Sequence, residues 1–165
     1  MKPGDHPDFF RFPAPEGRSR ESSIRLDKAG RFWHDGELVS HAGMAKAFAT
    51  WISRHPDDGR FILSNGYDWT YFSVEDAPFF ITRVTPDGDQ LKVQLSDGTE
   101  ELLDLETLCE GADAALFARV KAGAYQARFT QSAQIALAPL LVEDADGRVL
   151  LAVGERRLDI PARNA

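Results

Sequence analysis

The sequence predicts an α+β fold of mostly antiparallel sheets, arranged as two hairpin-helix-hairpin modules. Three observations lead there. Short runs of alternating apolar and polar residues recur between glycine-containing turns, as half-buried antiparallel strands require. Only two stretches, around residues 44–55 and 130–142, carry helical spacing. Laid over itself with an offset of 88 residues, the chain matches Asp58-Gly59-Arg60 to Asp146-Gly147-Arg148, Ala45 to Ala133, Leu63 to Leu151 and Gly66 to Gly154. Asp-Gly is a common turn, and this chain has five, so the turn alone could be coincidence. The order hairpin, helix, turn, hairpin in both halves is the stronger argument for repetition.

Residues 1–23 hold several prolines and glycines and many charges, which reads as an irregular arm that Phe9, Phe10 and Phe12 could dock onto the body. The first module spans 24–78. It begins with a short meander whose Asp35-Gly36 supplies the positive φ of a tight hairpin. Met44, Phe48, Trp51, Ile52 and His55 then form the stripe of an amphipathic helix that Pro56 stops. A second hairpin, FILS and WTYFSVE, follows, and Pro78 limits its ladder.

The second module spans 79–165. FFITRVT, QLKVQL and ELLDL read as strands, with Leu91, Val93 and Leu95 alternating against Lys92 and Gln94. LFARV and YQARF flank the turn KAGA. Thr130 is the N-cap of a helix predicted to reach about Val142, with a kink near Ile135 caused by Pro139. VLLAV and LDI close the chain as a hairpin.

Composition narrows the function. The 165 residues are 43% hydrophobic and 10% aromatic, enough for an ordinary core, and no apolar run approaches the roughly 20 residues that span a bilayer. The N-terminus lacks the order of a secretory signal, so a cytoplasmic location is expected. A net charge of −7, with basic clusters only at Arg18, Arg20 and Arg25 and at Arg156 and Arg157, disfavours nucleic acid as a partner. Cys109 is the only cysteine, which excludes an intrachain disulfide and argues against structural zinc. No metal or other cofactor is expected.

Candidate site residues each have a plain structural reading beside the functional one. Glu75 and Asp76 lie together in an aromatic, β-branched run, where an ionised acid needs a partner, water or a ligand. Alternation sends Glu75 to the module seam, paired with Arg128 or Arg60, and leaves Asp76 to cap local N–H groups ahead of Pro78. Asp68 and Trp69 follow the Asn65-Gly66 turn, while Tyr125 and Arg128 precede the second helix; together they offer the aromatic, cationic and acidic groups that a base, ribose and phosphate would use. His34, His41 and His55 lack metal-ligand spacing and read as structural. Asp104 and Glu106 read as solvated charges on a strand edge, and Cys109 as an idle thiol.

VEDAPF at Val74–Phe79, GRFWHDG at Gly30–Gly36, AFATWI in the first helix, DGRFIL at Asp58–Leu63, and Tyr125 with Arg128 together resemble the bacterial domain-of-unknown-function family 1285. The resemblance covers about residues 24–160. It implies a duplicated α+β core, a second half like a pleckstrin-homology barrel, and a nucleotide-like ligand at the module interface. Two places depart from the pattern: Asn65, Gly66, Tyr67 and Asp68 replace a Thr-Pro-Val-Glu run, and His41 stands where an arginine often precedes the first helix. The leading expectation is therefore a ligand-binding or signalling module whose site uses Asp68, Trp69, Glu75, Asp76, Tyr125 and Arg128. A protein-binding adaptor is the alternative, and a carboxylate-based hydrolase ranks third.

Overall fold

The computed structural model describes residues 1–164, and the chain separates into two compact units, Met1–Asp76 and a second beginning at Ala77. The fold is mixed α+β, with few helices and mostly antiparallel sheets.

Unit 1 contains β1 (Arg25–Leu26), β2 (Phe32–His34), β3 (Glu37–Leu38), α1 (Ala42–Trp51), β4 (Ile52–Arg54), β5 (Phe61–Ser64), β6 (Trp69–Tyr71) and β7 (Ser73–Val74). One sheet has the order β3-β2-β1-β7, with β7 parallel to β1, and the other is the antiparallel meander β4-β5-β6. Asp35 and Gly36 have φ of 52° and 78°, so both central residues of the β2–β3 turn adopt the left-handed conformation that a two-residue hairpin favours.

The first helix is shorter than its apolar stripe predicts. It ends at Trp51 because Ile52, Ser53 and Arg54 pair with Leu63, Ile62 and Phe61 as a strand. A β-branched residue at 52 loses nothing by leaving the helix, and its side chain is buried in the sheet. The N-terminal segment packs into this unit rather than lying over it. Phe9 is buried with Ile62 and Trp69, Phe10 packs against them, and Phe12 stays exposed. Gly4 donates to the Gly66 carbonyl at 2.7 Å, an approach so close that a Cβ at Gly4 would lie 3.0 Å from Gly66 Cα.

Unit 2 contains β8 (Phe79–Asp87), β9 (Gln90–Leu95), β10 (Glu100–Leu102), β11 (Cys109–Glu110), β12 (Leu116–Val120), β13 (Tyr125–Phe129), α2 (Gln131–Leu137), β14 (Leu141–Glu143), β15 (Val149–Val153) and β16 (Arg156–Asp159). A six-stranded sheet runs β10-β9-β8-β13-β12-β11, with β8 and β13 parallel, and a second sheet is the meander β14-β15-β16. Phe79, Ile81, Leu91, Val93, Leu95 and Phe129 are among its fully buried side chains.

Three expectations change here. The second helix ends at Leu137; Ala138–Leu140 form a 3₁₀ turn and β14 begins at Leu141, because Pro139 has no N–H to extend the helix and its ring would strike the preceding turn. The ELLDL strand stops at Leu102, and Asp104 instead caps a 3₁₀ turn at Leu105–Thr107. Among the described residues the sheets form no closed barrel: the six-stranded sheet is open, and its β11 edge is covered by the chain's own tail. There Glu110 donates to the Pro161 carbonyl at 2.8 Å, and Arg163 donates to the Glu110 carbonyl at 2.7 Å.

Candidate functional site

In unit 1, the Asn65-Gly66 turn puts Asp68 and Trp69 at the start of β6. Asn65 Oδ1 accepts the N–H groups of Tyr67 and Asp68, which closes the turn. The partner of this pair was not apparent from sequence: it is Arg20, 48 residues away. Its guanidinium donates to the Asp68 carboxylate and to the carbonyls of Trp69, Phe12 and Pro13, and lies 4.5 Å from the Trp69 ring centroid. Burial, the largest single influence, would raise the Asp68 carboxyl, but the hydrogen bonds from Arg20 and the Trp69 N–H and the nearby charges of Arg20 and Arg18 together outweigh it and hold it below the usual range. Asp68 and Trp69 are thus tied into the fold.

Glu75 departs from its expected partners. It is exposed just past β7, and its Oε2 accepts the Lys28 backbone N–H at 2.6 Å. Arg60 is engaged elsewhere, in a two-point contact with Glu21 at 2.8 and 2.9 Å while stacking 3.7 Å over Tyr71. The cause is the β1–β7 pairing, which brings the turn after β1 within reach of Glu75; a backbone donor fixed by that ladder captures the carboxylate. Asp76 is half-buried in the bend that ends unit 1.

His55 is buried. Its Nδ1 accepts the Asp57 N–H at 3.1 Å and its Nε2 lies 3.0 Å from the Phe10 carbonyl, an arrangement that the neutral ring with a proton on Nε2 satisfies. The ring therefore ties the N-terminal segment to the sheet. No group of three His, Cys, Asp or Glu residues with metal-binding geometry occurs among the described residues.

In unit 2, Tyr125 and Arg128 both lie on β13, but three residues apart in a strand means opposite faces. Tyr125 packs edge-on against Phe79, with centroids 5.1 Å apart. Arg128 sits on the other face, cross-strand from Phe117, 5.6 Å from its ring centroid.

That second face carries residues the sequence reading did not select. Arg119 is cross-strand from Gln126, and the docked tail sets Arg163 3.7 Å over the Phe117 ring, where it donates to Gln126 Oε1. Two adjoining cavities of about 420 and 440 Å³ share Arg119, Gln126 and Asn164 as walls. Arg119 donates through Nε to the Gly123 carbonyl at 3.1 Å, and no carboxylate pairs with it among the described residues. The acid at the rim, Glu106, pairs with Arg156 at 2.6 Å while its side chain stays largely exposed, so it is a solvated charge as expected, on a 3₁₀ turn rather than a strand edge. Cys109 lines the same groove as a protonated thiol: burial pushes its pKa up, and Arg163 opposes this only in part. Gly111 forms part of the wall; a Cβ there would lie 2.7 Å from Phe117 Cε2.

Neither a family sequence model nor a curated protein sequence matches the chain. Two solved structures share its fold. One, a DUF1285 family protein from Silicibacter pomeroyi, aligns over 92% of this chain and 91% of its own with a TM-score of 0.64 at 18% identity. The other, a DUF1285 family protein from Shewanella baltica, aligns over 73% of this chain and 94% of its own with a TM-score of 0.57 at 20% identity. The chain therefore has a DUF1285-type fold, in agreement with the motifs from Gly30 to Phe79.

Proposed function

We propose that this DUF1285-type protein is a binding module for a small phosphate-bearing, nucleotide-like ligand, and that the guanidinium-lined groove of unit 2 holds the anionic part. One observation carries the reading. In a chain of net charge −7, where Arg11, Arg20, Arg31, Arg60, Arg148 and Arg156 are each paired with a carboxylate, Arg119 lines an open groove beside Arg163 and pairs with no carboxylate among the described residues. Planar guanidinium groups match phosphate geometry. Arg163 is stacked and hydrogen-bonded, so little side-chain entropy is lost on binding. Gln126 accepts from Arg163 through Oε1, which leaves its amide N–H₂ to donate to the same anion. The cavity volumes fall within the range of about 300–1,000 Å³ usual for small-molecule sites.

The reading takes the protein as a sensor rather than a catalyst, because the groove's thiol is held protonated and its rim carboxylate is paired. It also takes the units as repeats of one ancestral module. In support, α1 is followed by the meander β4-β5-β6 and α2 by β14-β15-β16, with Asp58-Gly59-Arg60 and Asp146-Gly147-Arg148 in the first turn of each. The pleckstrin-homology likeness has less support, since the sheet of unit 2 stays open.

Thermal denaturation with AMP, ADP and pyrophosphate tests the proposal. A ligand at 100 times its Kd stabilises by about 2.7 kcal/mol. Arg119→Ala should abolish that gain while the ligand-free transition stays in place. No stabilisation by any of the three anions would favour the adaptor reading instead.

A further inference from the structure

Unit 1 contains a separate cavity of about 150 Å³, lined by Ile24, Phe48, Trp51, Leu63 and Thr70, with Asn65 and Asp68 among its polar walls. It arises from alternation. Leu63 and Thr70 are directly paired across β5 and β6, so both face the side opposite Ile62 and Tyr71. Helix α1 packs over β5 and contributes Phe48 and Trp51, whose rings lie 5.6 Å apart at 50°. Two aromatic walls and two aliphatic ones then line an open pocket with room for a single ring, since an enclosed apolar cavity of about 150 Å³ is known to take benzene.

The polar wall is specific. Asp68 Oδ1 accepts from both Arg20 and the Trp69 N–H, whereas Oδ2 accepts no hydrogen bond among the described residues. Asn65 Oδ1 is used by the turn. One carboxylate oxygen remains for a donor, on a side chain that lines the pocket and is half exposed. From this geometry we infer that unit 1 binds a small arylalkylamine: the ring sits between Phe48, Trp51 and Leu63, and the ammonium donates to Asp68 Oδ2. This site is independent of the phosphate groove, and its ligand has the opposite charge.

Titration of the full chain with 2-phenylethylamine, followed by tryptophan fluorescence, tests the inference. All three tryptophans, Trp33, Trp51 and Trp69, belong to unit 1, so the signal reports this unit alone. Saturable binding is expected, with ethylbenzene about tenfold weaker or worse, as for loss of one charge-assisted hydrogen bond. Asp68→Asn retains an Oδ1 for Arg20 and the Trp69 N–H, and should weaken the amine about tenfold while leaving ethylbenzene unchanged. Leu63→Phe should exclude both ligands, with its far-ultraviolet circular dichroism showing that the fold persists. Absence of saturable binding to the wild-type chain would overturn the inference. So would equal affinity for amine and hydrocarbon, or amine binding unchanged by Asp68→Asn.

Discussion

Replacing Asp27 by alanine should cost unit 1 about 2–3 kcal/mol. The carboxylate is 6% exposed and accepts four hydrogen bonds: from the N–H groups of Ala29 and Arg31 at 2.9 Å each, from Arg31 Nε at 3.2 Å and from Trp33 Nε1 at 2.9 Å. It thereby fixes the turn between β1 and β2, where Asp27 also donates to the Arg31 carbonyl. Losing the acceptor strands the half-buried Trp33 donor at a cost of about 1 kcal/mol or more, and each main-chain donor, on an exposed residue, at about 0.5–1 kcal/mol. The exposed Arg31 guanidinium returns to water at little cost. In urea, with a slope of about 2 kcal/mol/M, the tryptophan-fluorescence midpoint should fall by about 1–1.5 M. The effect should also depend on pH. Burial would raise the Asp27 carboxyl, but the bonds from Trp33, Arg31 and Ala29 prevail and hold it below its ordinary value. Its contribution is therefore complete above the unfolded value near about 3.9, and is lost as pH falls through the lower folded value. The gap between wild type and Asp27→Asn should then narrow on the acid side. A loss under about 1 kcal/mol for Asp27→Ala, or a gap that widens on acidification, would refute this account of the turn.

Phe9→Ala should destabilise unit 1 by about 3 kcal/mol, as expected for a truncated core aromatic, and shift tryptophan emission to the red as Trp69 is wetted. Glu75→Gln should leave stability within about 1 kcal/mol of wild type, because an amide oxygen can still accept the Lys28 N–H, whereas Glu75→Ala should lower the urea midpoint measurably. Cys109 should alkylate with iodoacetamide at pH 8 more slowly than free cysteine, since its raised pKa keeps the thiol protonated; the rates should converge in urea. Gly111→Ala should lower the thermal midpoint, because its Cβ would press on the ring of the fully buried Phe117.

Local signals in the chain were readable. Asp35-Gly36 specified a hairpin because only positive-φ residues turn so tightly, alternation marked Leu91, Val93 and Leu95 as one face of β9, and Thr130 capped α2. Where two local readings fit, tertiary pairing decided. Trp51 and Ile52 suit a helix stripe or a strand, and β5 drew Ile52 into the sheet. Pro139 suggested only a kink in a helix reaching about Val142, whereas the helix ends at Leu137 and Leu141 pairs with Leu151 as a strand. The parallel pairs β1–β7 and β8–β13 join residues nearly 50 apart and leave no local trace, so the Glu75 partner at Lys28 was hidden. The same holds for the site. Arg119 opposite Gln126 follows from the register of the β12–β13 hairpin and was available to a closer reading. Arg163 was not, because its place over Phe117 depends on the tail docking to Glu110.

The most direct test of the binding claim is a nitrogen-15 NMR titration of the whole chain with AMP, following backbone and side-chain N–H signals. The account predicts saturating shifts at Arg119, Gln126 and Arg163 with a common Kd that rises with salt, and none of these shifts in Arg119→Ala. Signals at those three residues that stay still while AMP is raised to millimolar levels, or saturating shifts confined to residues outside the groove, would contradict it.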